Sequence, residues 1–179
     1  MLRVKRDNDL EALESLVERH KGTVFSMAYS MLRSREDAEE AAQDTFLKLH
    51  RARDLYDEGR PLEPWLLRIA GNTCRDLLRR RKAASTTTSL GEDSSFLENV
   101  VVDPSSVDAS GIEATKGAVR HEVGQLSERL REPLLMKYIS GSTNRQIADA
   151  LGISVSNVKV RLARAKDVLQ SRLERILEG

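Results

Sequence analysis

Thr143-Asn144-Arg145-Gln146-Ile147-Ala148-Asp149-Ala150-Leu151-Gly152-Ile153-Ser154-Val155-Ser156-Asn157-Val158-Lys159-Val160-Arg161-Leu162 reads as two short helices meeting at a tight corner. Thr143 can cap the first and Ser154 the second, because a hydroxyl accepts from the free N–H groups of a first turn. Gly152 supplies the turn. Ala148 is small where two helices must cross closely, and Ile147, Leu151, Ile153, Val158 and Leu162 form the apolar wedge between them. The second helix then presents Ser156, Asn157, Lys159, Arg161 and Arg164 near its exposed side. Such a helix fits the major groove, its first residues toward base edges and its cations near phosphates. A plain helical hairpin with solvated charges is the alternative. The small residue, the glycine and both caps fall in place together, and this favours a DNA-reading helix-turn-helix over about residues 143–163.

Upstream of this unit, Pro133 predicts the opening of a helix carrying Leu134, Leu135, Tyr138 and Ile139, with Gly141 ending it. Another helix runs from about Ile112 to Gly124. Residues 112–179 therefore read as a four-helix domain. Lys166, Arg172 and Arg175 alternate with Asp167, Glu174 and Glu178, the pattern of a solvated helix face.

Residues 83–111 are of a different kind. From Ala83 to Thr115 there is no Lys or Arg, whereas Glu92, Asp93, Glu98, Asp103, Asp108 and Glu113 are acidic. The stretch is rich in Ser and Thr and lacks the apolar density that offsets ordering entropy, so it reads as a flexible acidic linker. Leu90, Phe96, Leu97 and Val100 to Val102 are its exception, able to dock on a neighbouring domain.

Residues 1–82 read as a second all-helical bundle, of three or four helices. Leu13, Leu16, Val17, Val24, Phe25, Ala28, Tyr29 and Leu32 give helical periodicity from Leu10 to Leu32, loosened near Lys21-Gly22. Ser34 caps a second helix to about Arg53, with Asp37 three residues on in a variant of the capping box. Asp57-Glu58-Gly59-Arg60-Pro61 breaks the pattern, and Pro64 opens a third helix from Trp65 to about Lys82. That helix is expected to bury Trp65, Leu66, Ile69, Ala70, Thr73, Leu77 and Leu78. The fold class is thus all-α: two small helical domains on a tether.

Composition narrows the function. Of 179 residues, 40% are apolar, 32% charged and 4% aromatic, which suits exposed helices in small units rather than one large core. No apolar run approaches the ~18 residues of a membrane span, and no signal-peptide pattern opens the chain, so a cytoplasmic protein is expected. The single Cys74 excludes an internal disulfide, and His20, His50 and His121 are scattered at no metal or catalytic spacing. No catalytic residue, metal or cofactor is expected.

Net charge is +1, but its distribution is uneven. Arg68, Arg75, Arg79, Arg80, Arg81 and Lys82 oppose only Asp76 between Pro64 and Lys82. Two basic islands around an acidic tether suggest two contacts with one polyanion. The cations at the end of the third helix face solvent or phosphate, or else complement the helix dipole. Tyr56 and Trp65 flank the Gly-Arg-Pro turn, either as a stacking platform for unpaired bases or as core anchors. Glu36, Asp37, Glu39, Glu40 and Asp44 make the second helix acidic at its start, with Asp37, Glu40 and Asp44 on one face. No histidine or glycine-rich cradle accompanies these carboxylates, so catalysis is disfavoured. A negative face beside two DNA-binding elements is inert or serves a positively charged protein.

These residues resemble the extracytoplasmic-function branch of the bacterial sigma-70 factors. The match lies in Asp37-Ala38-Glu39-Glu40-Ala41-Ala42-Gln43-Asp44-Thr45-Phe46-Leu47, Trp65-Leu66-Leu67-Arg68-Ile69-Ala70-Gly71-Asn72-Thr73, Asp76-Leu77-Leu78-Arg79-Arg80-Arg81, the helix-turn-helix, and Val158 to Lys166. It departs at Ala41-Ala42, where the family carries larger aliphatic residues, and at Ala163, where some members place a larger side chain. The resemblance implies an alternative sigma factor that directs RNA polymerase to the promoters of a specific regulon. It implies that residues 37–50 bind the largest-subunit clamp of the core polymerase through Asp37, Glu40, Gln43, Asp44, Phe46 and Leu47. It implies that residues 57–80 melt and read the minus-ten element through Arg60, Trp65, Asn72, Arg75, Arg79 and Arg80. Asn144, Ser156, Asn157, Lys159, Arg161 and Arg164 are implied to contact the minus-thirty-five element. The implied active form is monomeric. The implied inhibitor is a cognate anti-sigma factor, often membrane-bound, able to hold the protein at the inner membrane.

Two other classes compete. A dimeric helix-turn-helix regulator would bind palindromic duplex tightly without polymerase, but two-fold recognition needs neither the basic third helix nor the acidic tether. A nuclease would use the carboxylates with a divalent metal, yet they sit on one helix without ligands from a second element.

Overall fold

The first helix, α1 (Leu10–Leu32), buries Leu16, His20, Val24, Met27, Ala28 and Met31 at three- and four-residue intervals. The computed structural model describes residues 10–88 and 111–177. Lys21-Gly22 does not loosen α1: both residues are exposed and the helix is continuous. An exposed helical glycine costs only about 1 kcal/mol, and burial of Val24 and Met27 just beyond it outweighs that.

Ser34 caps α2 (Arg35–Arg51), its hydroxyl accepting from the Asp37 N–H at 3.3 Å. The inward stripe is Ala38, Ala41, Thr45 and Leu49, each fully buried. Thr45 returns its hydroxyl to the Ala41 carbonyl at 2.6 Å, so this buried hydroxyl keeps a partner. A short 3-10 turn, Arg53–Leu55, leads into the break at residues 57–61.

The third helix, α3 (Leu62–Thr88), begins three residues before Trp65. Pro64 therefore sits in its first turn rather than opening it, a place where a missing N–H costs nothing because no carbonyl precedes it. The helix also continues past Lys82, through Ala83 and Ala84, residues of high helical propensity. The expected linker thus starts later than residue 83. Most of it, with Leu90, Phe96, Leu97 and Val100 to Val102, lies outside the described residues. Leu66, Leu67, Ala70, Thr73, Cys74 and Leu77 are buried on α3, while Trp65, Ile69 and Leu78 are half-buried. Leu67 and Cys74 widen the expected stripe because α3 is covered by both domains.

The second domain comprises α4 (Gly111–Gly124), α5 (Glu128–Ile139), α6 (Asn144–Leu151) and α7 (Val155–Leu177). The expected start of α5 at Pro133 is five residues late: Pro133 lies inside the helix, fully buried. Leu130 and Leu134, one turn apart within the helix, carry it across Pro133 at the loss of one backbone rung.

The two domains share one core. α1 packs on α4 and α5, α3 packs on α5 and α6, and the buried apolar side chains of both halves form a continuous cluster. Cationic links cross the boundary. Arg131 of α5 reaches the Met31 carbonyl, Arg75 of α3 reaches Glu132 of α5 at 2.5 Å, and Arg33 reaches the His121 Nδ1 at 2.6 Å. Arg33 adopts a left-handed conformation, φ 59°, and its stem lies against Gly124, where an added Cβ would come within 2.8 Å of its Cδ.

Candidate functional site

Along α3, Trp65, Arg68, Asn72, Arg75 and Arg79 follow one another at intervals of three and four, so they form one longitudinal stripe. Arg68, Asn72, Arg79 and the neighbouring Arg80 are exposed, while Trp65 and Arg75 are half-buried. The stripe is preorganised by its own hydrogen bonds. Arg75 donates to the Asn72 side-chain oxygen, and Arg79 donates to Asp76 at 2.5 Å. Lys48 of α2 ties the back of the stripe down, donating to Thr73 at 3.1 Å and Asp76 at 3.4 Å. Burial alone would raise the Asp76 carboxyl, but the hydrogen bonds and charges of Arg79 and Lys48 outweigh it and hold its pKa below the ordinary value.

The turn before α3 is equally ordered. Asp57 accepts from the Gly59 N–H and the Arg60 guanidinium, both at 3.0 Å, and the Tyr56 hydroxyl donates to the Arg60 carbonyl at 2.5 Å. Tyr56 is buried and its ring lies 5.2 Å from that of Trp65, so Tyr56 is the anchor and Trp65 the half-open face. Burial, with Asp57 and Glu58 nearby, pushes the Tyr56 hydroxyl pKa up, which keeps it a donor. A groove of about 330 Å³ opens here, between Trp65, Arg60 and Arg68 on one side and Gln146, Asp149 and Ala150 of α6 on the other.

The helix-turn-helix has the local geometry that its sequence predicts. Thr143 and Gln146 form a complete capping box, Gly152 is left-handed at φ 65°, and the Ser154 hydroxyl accepts from the Asn157 N–H at 3.1 Å. Ile147, Ala148, Val158 and Leu162 are buried in the wedge, with Leu151 and Ile153 at its margin. Ser156, Asn157, Lys159 and Arg164 are exposed on α7, and Arg161 is held by Asn157 at 2.8 Å. Asn144 stands apart from that row, half-buried with its side-chain oxygen unpartnered. It lines a second groove of about 330 Å³ with Lys137, Tyr138, Lys159 and Lys166.

The acidic face differs from the expected one. Asp37 is buried and pairs with Arg81 of α3, so it joins two helices and does not share a surface with Glu40. It lies four residues before Ala41 and eight before Thr45, on the inward stripe. The exposed row is Glu36, Glu39, Glu40, Gln43 and Leu47, with Asp44 and Phe46 half-buried at its edge. Leu47 is 55% exposed, a large apolar side chain amid carboxylates.

Arg131 and Glu132 are not among the residues that the sequence pattern singles out, and Arg68 and Gly71, though within its motifs, are not among its site residues. Arg68 completes the three-four spacing from Trp65 to Asn72, a signal present in the sequence. Glu132 falls just before the helix start expected at Pro133, and the four-residue step from Leu130 to Leu134 is the local sign that it is helical.

Comparison with known proteins gives a consistent result. Sigma-70 region 2 matches residues 16–84 and Sigma-70 region 4 matches residues 116–169. The RNA polymerase sigma factor CnrH of Cupriavidus metallidurans is 31% identical, the match covering 91% of this chain and 87% of CnrH. The ECF RNA polymerase sigma factor SigM of Mycobacterium tuberculosis is 31% identical over 94% of this chain and 79% of its own length. A solved structure of CnrH in complex with the cytosolic domain of CnrY superposes with a TM-score of 0.69 at 26% identity, covering 96% of this chain and 93% of that one. The sigma factor RpoE of Bartonella quintana, solved in complex with the anti-sigma factor NepR, shares the fold at a TM-score of 0.69 and 22% identity, covering 92% of this chain and 98% of that one.

Proposed function

This chain belongs to the extracytoplasmic-function branch of the sigma-70 factors, alternative initiation factors of RNA polymerase and not enzymes, and from that premise we propose how its surfaces divide the work. The α3 stripe with the turn before it, about residues 57–80, reads the minus-ten element. Its guanidinium groups meet phosphates, while Trp65 offers a ring face and Asn72 a bidentate edge to unpaired bases. The row Ser156, Asn157, Lys159, Arg161 and Arg164 reads the minus-thirty-five element in the major groove. The exposed row of α2, within about residues 37–50, docks on a basic surface of core polymerase, with Leu47 and Phe46 supplying apolar contact. We assign the two domains to about residues 1–82 and 112–179, with α3 running on to Thr88 beyond the first.

One observation carries this reading: a cationic, aromatic-headed stripe and a capped helix-turn-helix occur in one chain beside an exposed carboxylate row, three surfaces that a single promoter-bound polymerase engages together. The complexes formed by CnrH and by RpoE of Bartonella quintana support control of this chain by an anti-sigma factor. No helix among the described residues is long and apolar enough to cross a membrane, which is compatible with work in the cytoplasm, with any membrane tether supplied by that partner. The deciding experiment is run-off transcription with core polymerase on a genomic promoter library. Specific transcripts that share upstream elements are expected; none from core plus this chain would overturn the reading.

A further inference from the structure

We infer that Glu132 is an intramolecular stand-in for promoter phosphate, latching the second domain over the minus-ten-reading stripe until it is displaced. The inference rests on the assignment of that stripe to DNA and goes beyond it. Arg75 lies in the middle of the stripe, between Asn72 and Arg79. One of its guanidinium nitrogens holds Asn72 and the other is 2.5 Å from Glu132. The Glu132 side chain is 9% exposed and that of Arg75 26%, so the pair is largely closed to solvent. An arginine and the asparagine it holds are thereby committed to a carboxylate from the other domain.

The contact is made possible by one residue. An added Cβ on Gly71 would lie 2.3 Å from Glu132 Oε1, against only ordinary contact with Met27 at 3.4 Å. Gly71 is the seat into which the carboxylate settles. That same oxygen is buried without a hydrogen-bond partner, so Glu132 is satisfied on one side only. A half-satisfied buried carboxylate is a poor structural anchor and a releasable one: once a competing anion takes its place on Arg75, Glu132 gains by leaving its seat for water.

The distances along DNA require release. The two promoter elements are about 25 base pairs apart, ~85 Å at ~3.4 Å per pair. Here α3 touches α6 and α6 touches α7. Helices of ~10–12 Å diameter stacked in this way place the two reading surfaces only about 20–35 Å apart. The latched form cannot occupy both elements, and α5 and α6 stand over part of the first.

The test uses the full chain with fluorophores at Glu18→Cys and Ser171→Cys, both exposed positions, and reads interdomain energy transfer in free protein. Glu132→Gln and Gly71→Ala are compared with the parent. In parallel, binding of a random-sequence single-stranded 12-mer is titrated. The parent is expected to be predominantly short-distance. Both variants should raise the open-to-closed ratio roughly tenfold or more, as for loss of a charged hydrogen bond, and raise single-strand affinity by a similar factor. Retained helical circular dichroism excludes unfolding as the cause, and Gly71→Ala, favourable within a helix, guards the result if Glu132→Gln folds poorly. A parent that is already open, two variants that stay closed, or opening without any gain in single-strand binding would each overturn the latch. Run-off transcription by the parent tests the sigma-factor reading separately, because core polymerase and promoter are then present to displace Glu132.

Discussion

Arg131 donates through Nη1 to the main-chain oxygen of Met31, 2.9 Å away and a hundred residues earlier in the chain. Met31 is in the last turn of α1, where carbonyls have no helical donor and the dipole is negative. Arg131 also grips the Leu126 carbonyl, at 2.8 and 3.2 Å, so one buried cation caps a helix end in the other domain and the turn before its own helix. Burial, the largest influence on it, lowers its pKa, but the bonded carbonyls keep the guanidinium in place. Replacing it with alanine strands those acceptors and should cost about 2–3 kcal/mol. Urea unfolding of Arg131→Ala against the parent checks this; an unchanged midpoint would show that water replaces the cation freely.

Charge reversal separates the two kinds of carboxylate on α2. Glu39→Lys with Glu40→Lys should cut capture of core polymerase roughly tenfold or more, through like-charge repulsion, and leave the melting temperature within a degree or two. Asp37→Ala should do the opposite, lowering stability by about 1 kcal/mol because its Arg81 partner is on α3, with core capture retained by whatever protein stays folded. Co-precipitation and thermal melts on the same samples read both.

Gly152 is left-handed at φ 65°, yet nothing lies within 4 Å of where its Cβ would be. The cost of Gly152→Ala is therefore conformational alone, about 1–2 kcal/mol. Gly152→Asn should cost less, since asparagine tolerates this region. Thermal unfolding of the two variants ranks them; equal losses would point to a hidden steric clash.

Burial pushes the Cys74 thiol up to about 12 from 9.0. A thiol that ionises more readily in the unfolded chain draws protons away from that state as alkalinity rises. Its contribution to stability is intact below pH 9 and is lost between pH 9 and about 12, at up to ~1.4 kcal/mol per pH unit. Urea unfolding from pH 8 to 10.5 should show a steeper decline for the parent than for Cys74→Ala. Alkylation by iodoacetamide at pH 8 should be slow in the native protein and fast in urea.

Phosphate contacts leave a signature in salt. On a duplex carrying the minus-thirty-five element, Lys159→Ala or Arg164→Ala should weaken binding across all sequences and reduce the logarithmic salt slope by about one each. Asn157→Ala should leave the slope unchanged and relax base preference, with a loss of roughly 1–3 kcal/mol at the preferred site. Fluorescence anisotropy at several salt concentrations distinguishes the two.

The helix-turn-helix was legible because its determinants are local: a hydroxyl, a glycine and an apolar period lie within twenty residues and need no distant partner. The α3 stripe was partly legible. Its cations were visible in the sequence, but the place of Arg68 among them and the pairing of Asn72 with Arg75 depend on helical phase. Asp37 was misplaced because a three-residue step to Glu40 says nothing about which side of the helix faces inward; the four-residue steps to Ala41 and Thr45 do. The contacts between domains were not legible. Met31 with Arg131, Arg75 with Glu132 and Arg33 with His121 join residues 57 to 100 positions apart, and no local pattern encodes such a pairing.

The chain has one tryptophan, Trp65, half-buried at the mouth of the groove between α3 and α6 and 5.2 Å from the ring of Tyr56. Its emission needs no label and no background subtraction from other indoles. Separation of the domains would red-shift it by admitting water, whereas a stacked nucleobase would quench it, so stopped-flow mixing can time the two events in the same sample.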